Sequence, residues 1–189
     1  MNQLYRTVLI ASFIGFSWLA MQVVHELGHV LSAVASGGHV TNVVLHPFTI
    51  SRTDVFPNPH PFFVAWAGSI VGTLLPLLGF LFARFFRWPG TFLFRFFAGF
   101  CLVANGAYIG IASIQGIGDA GEMLRYGSPR WQLILFGLFT ATLGLFLWDG
   151  LGQKFGLGKS KETVSRSATH TALALFIILT TIELIIGSK

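Results

Sequence analysis

The sequence predicts an all-α polytopic membrane protein with about five transmembrane helices and a short β-hairpin after the first. Composition is the first observation behind this prediction. Of the 189 residues, 53% are hydrophobic and 10% are charged, whereas about 25% of the residues of a soluble domain are charged. Phe occurs 20 times and Gly 22 times, which is typical of apolar helices that pack closely in a bilayer.

The second observation is a series of long apolar segments. A helix needs about 20 apolar residues to cross the hydrocarbon core. Five segments meet this requirement: residues 7–36, 62–84, 92–114, 131–149 and 168–187. We therefore expect an integral, multi-pass protein of the cell membrane, with residues 1–189 forming a single membrane-embedded domain. The polar, lysine-rich stretch 150–167 is predicted to be a mobile loop.

The third observation is a β-like stretch after the first apolar segment. Gly37 and Gly38 end that helix. Residues 39–46 and 48–55 are rich in β-branched side chains and partly alternate, and Pro47 separates them. This pattern predicts two short strands around a turn.

Pairs of glycines four residues apart occur in two of the apolar segments. Gly68 and Gly72 form one pair, and Gly106 and Gly110 form the other. Such pairs permit close helix contact, although chance explains them equally well in a glycine-rich chain.

The basic residues lie between the apolar segments. The net charge is +5, but no basic face lies on a soluble element, so nucleic acid is not expected as a partner. Loops on the amino-terminal side carry eight basic residues and the other side carries four, namely Arg6, Arg84, Arg87, Arg95, Lys154, Lys159, Lys161 and Arg166 against Arg52, Arg125, Arg130 and Lys189. This bias favours a cytoplasmic amino terminus.

An H-E-x-x-H motif lies inside the first apolar segment. His25 and His29 are one helical turn apart and project from the same face. Two imidazoles at this spacing bind zinc, and Glu26 between them can activate a water molecule. Ionisable side chains within a membrane are costly unless they are paired or bind a cation, which makes this motif much more specific than in a soluble helix.

A hydrolytic zinc site usually has a third protein ligand. Asp119 is the best candidate, because the glycines around it let the backbone bend toward a metal. Glu122 is the alternative, either as the third metal ligand or as a hydrogen-bond acceptor that orients a ligand histidine. The competing interpretation is that the Asp119 side chain only caps the short helix that follows it. Other polar candidates are weaker, namely Asp149, Glu183 and the histidines at 39, 46, 60 and 170.

Three stretches resemble the site-2 proteases, which are intramembrane zinc metalloproteases. Residues 24–38 resemble that family's zinc helix and its glycine turn, residues 67–72 the Ala-Gly entry to its second core helix, and residues 118–121 its Asp-Gly motif. The resemblance covers roughly residues 10–127. The chain departs from the family pattern at Ser69 and Gly72, and Asn105 is distant in sequence from Asp119.

The resemblance implies a zinc-site core over residues 7–127, with additional helices at 131–149 and 168–187. It implies one zinc ion per chain, bound by His25, His29 and Asp119, with Glu26 as the catalytic residue. The implied reaction is hydrolysis of a peptide bond in a membrane protein or membrane-associated peptide. Residues 39–55 would offer a strand edge to an unwound substrate.

Three other functions remain open at this stage. A non-proteolytic zinc-binding scaffold would not need Glu26. A metal transporter would need acidic or histidine side chains along several spans. A protease of the prenyl-protein type would use a later glutamate, here Glu122, as the third ligand. The sequence does not specify the substrate or the oligomeric state. It also leaves the membrane topology open, because the charge bias favours a cytoplasmic amino terminus whereas the family resemblance implies that the end of the zinc helix lies near the cytoplasm.

Overall fold

The structure is a computed structural model that describes residues 2–158 and 164–187. Within these residues it contains six α-helices and one two-stranded sheet. In chain order they are α1 (Asn2–Ala35), β1 (Val40–Val44), β2 (Arg52–Val55), α2 (Pro61–Phe85), α3 (Thr91–Gln115), α4 (Gly118–Arg125), α5 (Arg130–Trp148) and α6 (Arg166–Gly187).

Five of the helices in the described ranges are long and apolar enough to cross a membrane, namely α1, α2, α3, α5 and α6. They coincide with the five predicted segments to within two residues, except that α1 begins at Asn2 instead of residue 7. With a rise of about 1.5 Å per residue, the 34 residues of α1 exceed a hydrocarbon core of about 30 Å.

The predicted hairpin is confirmed. Strands β1 and β2 pair antiparallel, with Val43 opposite Thr53, and an irregularity lies between Val40 and Asn42. The helix before it ends at Ala35, and Gly37 has a φ of 78°. A glycine adopts this left-handed conformation without steric cost, so the chain can turn from α1 into β1.

Glycines bring α3 and α5 into close contact, as the second glycine pair suggested. A Cβ atom at Gly137 would lie 2.7 Å from the carbonyl oxygen of Gly106 and 2.9 Å from the Cα of Gly110. Real Cβ atoms do not approach other atoms this closely, so side chains at these positions would force the two helices apart.

The segment after α5 is more ordered than predicted. Residues Leu151–Phe155 form a 3₁₀ helix, and the side chains of Leu151 and Phe155 are buried against Leu9, Phe13 and other residues. Two apolar side chains in a polar stretch therefore fix the start of this connection. The basic residues Lys159 and Lys161 of the same stretch lie outside the described residues.

A second apolar cluster anchors α4. Ala120 and Met123 of this short helix are fully buried and pack with Ala65 of α2, Ile109 of α3 and Leu133 of α5. This contact fixes the rotation of α4 about its axis. It therefore also fixes the direction in which Asp119, at the start of the helix, can point.

Candidate metal centre

Three of the residues singled out in the sequence lie together. The Nε2 atoms of His25 and His29 are 3.1 Å apart. The Oδ2 atom of Asp119 lies 2.7 Å from Nε2 of His25 and 3.3 Å from Nε2 of His29. Among the described residues, these three form a group whose geometry could hold a metal ion.

The outer nitrogen of each histidine ring is held by an oxygen acceptor. Nδ1 of His25 lies 2.7 Å from Oδ1 of Asn105, and Nδ1 of His29 lies 2.8 Å from the carbonyl oxygen of Val64. Each Nδ1 therefore carries a proton and donates it. In the neutral ring the lone pair is then on Nε2, so both rings direct an electron pair at the same point, as metal-binding histidines do.

The donor atoms fit a zinc ion. Zinc bonds of about 2.0–2.1 Å in a tetrahedron place the ligand atoms about 3.3 Å apart, and the distances here are 2.7, 3.1 and 3.3 Å. The third donor is a carboxylate, whose ionised form is the one that binds a cation.

Glycines let the backbone of α2 pass directly beside the ligands. A Cβ atom at Gly68 would collide with Nε2 of His29 and lie 2.8 Å from Nε2 of His25. A Cβ atom at Gly28 would collide with the carbonyl oxygen of Ala67. Two of the sequence stretches singled out above therefore meet at the site, and each contributes a glycine that makes the contact possible.

Asp119 is placed by the turn between α3 and α4. Gly116 ends α3 with a φ of 68°, so the predicted glycine bend is present. The backbone N–H of Asp119 donates to the hydroxyl of Tyr108 at 3.1 Å. Ile117 is the N-cap of α4, and no side-chain cap hydrogen bond is formed there. Asp119 thus directs its carboxylate at the histidines and does not cap the helix.

Glu26 follows His25 on α1, and it is 3% exposed. It borders a cavity of about 1070 Å³ that also reaches His25, His29 and Asp119. Small-molecule sites are typically about 300–1,000 Å³, so this cavity has room for an extended stretch of chain. All four residues of β2 line it, whereas β1 contributes Thr41.

The alternative acidic candidates are outside the ligand group, although Glu122 borders the same cavity. The Glu122 side chain is 49% exposed and pairs with Arg125 at 3.5 Å. Asp149 follows the end of α5, and its backbone carbonyl accepts a hydrogen bond from Arg95. Glu183 is 2% exposed, and its Oε1 atom has no hydrogen-bond partner among the described residues. The other four histidines are outside the ligand group, namely His39, His46, His60 and His170.

Four residues of the site were missed in the sequence. Asn105 is distant from Asp119 along the chain, yet it is 1% exposed and contacts His25. Gly72 leaves the space for it, because a Cβ there would lie 2.9 Å from Oδ1 of Asn105. A lone asparagine in an apolar span was the available signal. Tyr108, Ser51 and Thr53 gave none, since their contacts join distant parts of the chain.

Comparisons of this chain with protein-family models, with curated proteins and with solved structures found no match. The functional interpretation therefore depends on the geometry of the site and on the sequence motifs.

Proposed function

We propose that this protein is a multi-pass membrane zinc metalloendopeptidase, a small member of the site-2 protease family, which hydrolyses a peptide bond within or beside the bilayer. The observation that carries the proposal is the convergence of His25, His29 and Asp119 beside Glu26 in one cavity. In lipid, backbone polar groups must be satisfied internally, and the five long apolar helices meet that requirement.

A zinc ion held by these residues would acidify a bound water and polarise the scissile carbonyl. The chain supplies the remaining functions. Glu26 accepts the proton of the attacking water and returns it to the leaving amine. Asn105 and the Val64 carbonyl hold the imidazoles in the required tautomer.

The hairpin offers a means of holding the substrate. A helical substrate hides its carbonyls in backbone hydrogen bonds, so it must unwind before cleavage. In the described part of the chain, β2 pairs with β1 on one side and with no strand on the other. Because β2 borders the cavity, an unwound segment can add to its open edge through main-chain hydrogen bonds.

The position of Glu122 argues against a protease of the prenyl-protein type. That reading needs Glu122 as the third ligand, but its carboxylate is half exposed and paired with Arg125. A non-proteolytic scaffold would not need a general base beside the ligands. A transporter would need a path of ligands, whereas the described residues provide one three-residue group.

The test is cleavage of candidate single-span membrane proteins by purified protein in detergent, with zinc content measured on the same samples. Glu26→Gln should retain about one zinc per chain and lose turnover, because an amide cannot accept the water proton. Asp119→Ala is the matched control and should lose both metal and turnover. Cleavage by Glu26→Gln at the wild-type rate would rule out the proposed mechanism.

A further inference from the structure

Both oxygens of the Glu26 carboxylate are held by the segment that begins β2. The Ser51 hydroxyl donates to Oε1 at 2.7 Å, and the Thr53 hydroxyl donates to Oε2 at 2.7 Å. Alternate residues of a strand point to the same face, so both hydroxyls reach α1 from one face of the hairpin. The backbone N–H of Ser51 also donates to Oε1 of Gln22 at 3.1 Å, one turn before Glu26.

These contacts fix the last torsion of the Glu26 side chain, which is otherwise free to rotate. The last torsion of a glutamate has a broad energy profile, so a carboxylate without partners samples many orientations. Two donors on opposite oxygens select one orientation, and hydrogen bonds to a charged acceptor are roughly twice as strong as neutral ones. Each carboxylate oxygen has about two lone-pair sites, so one hydroxyl on each oxygen still leaves room for water.

We propose that Ser51 and Thr53 are positioning residues for the general base, and that β2 therefore holds Glu26 in the orientation that accepts the water proton. This inference rests on the proposed function. The same strand borders the cavity, so the element that would receive the substrate also sets the position of the base. Docking of the hairpin on α1 is then a condition for turnover and not for metal binding, since neither hydroxyl contacts His25, His29 or Asp119.

The experiment compares removal of the two hydroxyls with their conservative replacement. In the double variant Ser51→Ala/Thr53→Val, kcat should fall about 10- to 100-fold, the range expected when a reacting group is misplaced by about 1 Å. KM should change less than about twofold and zinc content should not change, because the loss is confined to the transition state. Ser51→Thr and Thr53→Ser keep a hydroxyl and should restore most of kcat.

A matched control removes a hydroxyl that does not line the cavity. Thr181 of α6 is exposed and donates to the carbonyl oxygen of Ile177, so Thr181→Val should have wild-type kcat. The proposal is overturned if the double variant raises KM at unchanged kcat, since the hydroxyls would then contact the substrate. It is equally overturned if Thr53→Ser loses as much activity as Thr53→Val, because shape and not the hydroxyl would then matter.

A second measurement does not depend on turnover. Glu26→Leu removes both acceptors, and its effect on thermal unfolding in detergent can be combined with that of Ser51→Ala/Thr53→Val in a double-mutant cycle. Non-additive effects are expected if the hydroxyls hold the carboxylate, and additive effects would overturn the proposal. If the wild type cleaves nothing, the proposed function fails, and the cycle still decides whether β2 holds Glu26.

Discussion

The proton on each Nδ1 decides which nitrogen of His25 and His29 faces the cavity. Oδ1 of Asn105 and the carbonyl oxygen of Val64 accept those protons, and they lie 2.7 and 2.8 Å from the Nδ1 atoms of His25 and His29. The amide of Asn105 is itself fixed, because its Nδ2 donates to the carbonyl oxygen of Cys101 at 2.9 Å. Its Oδ1 therefore must face His25. Such an outer partner fixes the tautomer and the orientation of a metal-binding histidine.

Asn105→Ala should weaken zinc binding about 10- to 100-fold, the usual loss when the partner of a ligand histidine is removed. The reason is that His25 would be free to rotate and to adopt the other tautomer. Zinc titration against a competing chelator measures the effect. Asn105→Asp keeps an acceptor at the same place and should retain more of the affinity than Asn105→Ala. Equal affinity of Asn105→Ala and wild type, in folded protein, would contradict this assignment.

Among the elements, α1 and α2 come into close contact beside the ligands. Gly28 of α1 faces the carbonyl of Ala67, and Gly68 of α2 faces both Nε2 atoms. The glycines therefore do more than let two helices pack. They also leave space beside the two histidines in which a metal ion can lie.

Gly68→Ala should abolish zinc binding, because the added methyl group would collide with Nε2 of His29 and lie 2.8 Å from Nε2 of His25. The matched control is Gly79→Ala on the same helix, where a Cβ would meet no atom within 4 Å. Alanine is favoured over glycine in a helix by up to about 1 kcal/mol, so the control should be neutral or slightly more stable. Metal content and thermal unfolding of both variants check the prediction. A zinc-loaded Gly68→Ala protein would show that the helices can separate at little cost.

Elements that depend on local pattern were predictable from the sequence, and contacts between elements were not. The five long helices follow from apolar length alone, and the hairpin follows from β-branched alternation and glycines. His25 and His29 are recognisable because their spacing is that of one helical turn. Ser51 and Thr53 are ordinary strand residues whose partner, Glu26, lies on another element, so no spacing could reveal them.

At the scale of the whole molecule, more of the described basic residues lie at the end opposite the candidate metal centre than beside it, where Arg52, Arg125 and Arg130 lie. Arg6 donates to the carbonyl of Gly156, Arg95 donates to that of Asp149, and Arg166 lies over the ring of Tyr5. These contacts place the start of α1, the start of α3 and the start of α6 at one end. The hairpin lies at the other, where Gly187 of α6 meets His46.

This distribution predicts that the metal centre opens to the side of the membrane away from the cytoplasm, since cytoplasmic loops carry the excess of Lys and Arg. Arg6 and His25 are 19 residues apart on α1, which is about 28 Å at 1.5 Å per residue, close to the full thickness of the hydrocarbon core. Cys101 is buried, so Cys101→Ser gives a background for single cysteines. In sealed right-side-out vesicles, a membrane-impermeant maleimide should label Thr49→Cys in the hairpin turn. It should label Gln153→Cys only after the vesicles are permeabilised. The reverse labelling pattern would place the candidate metal centre at the cytoplasmic face.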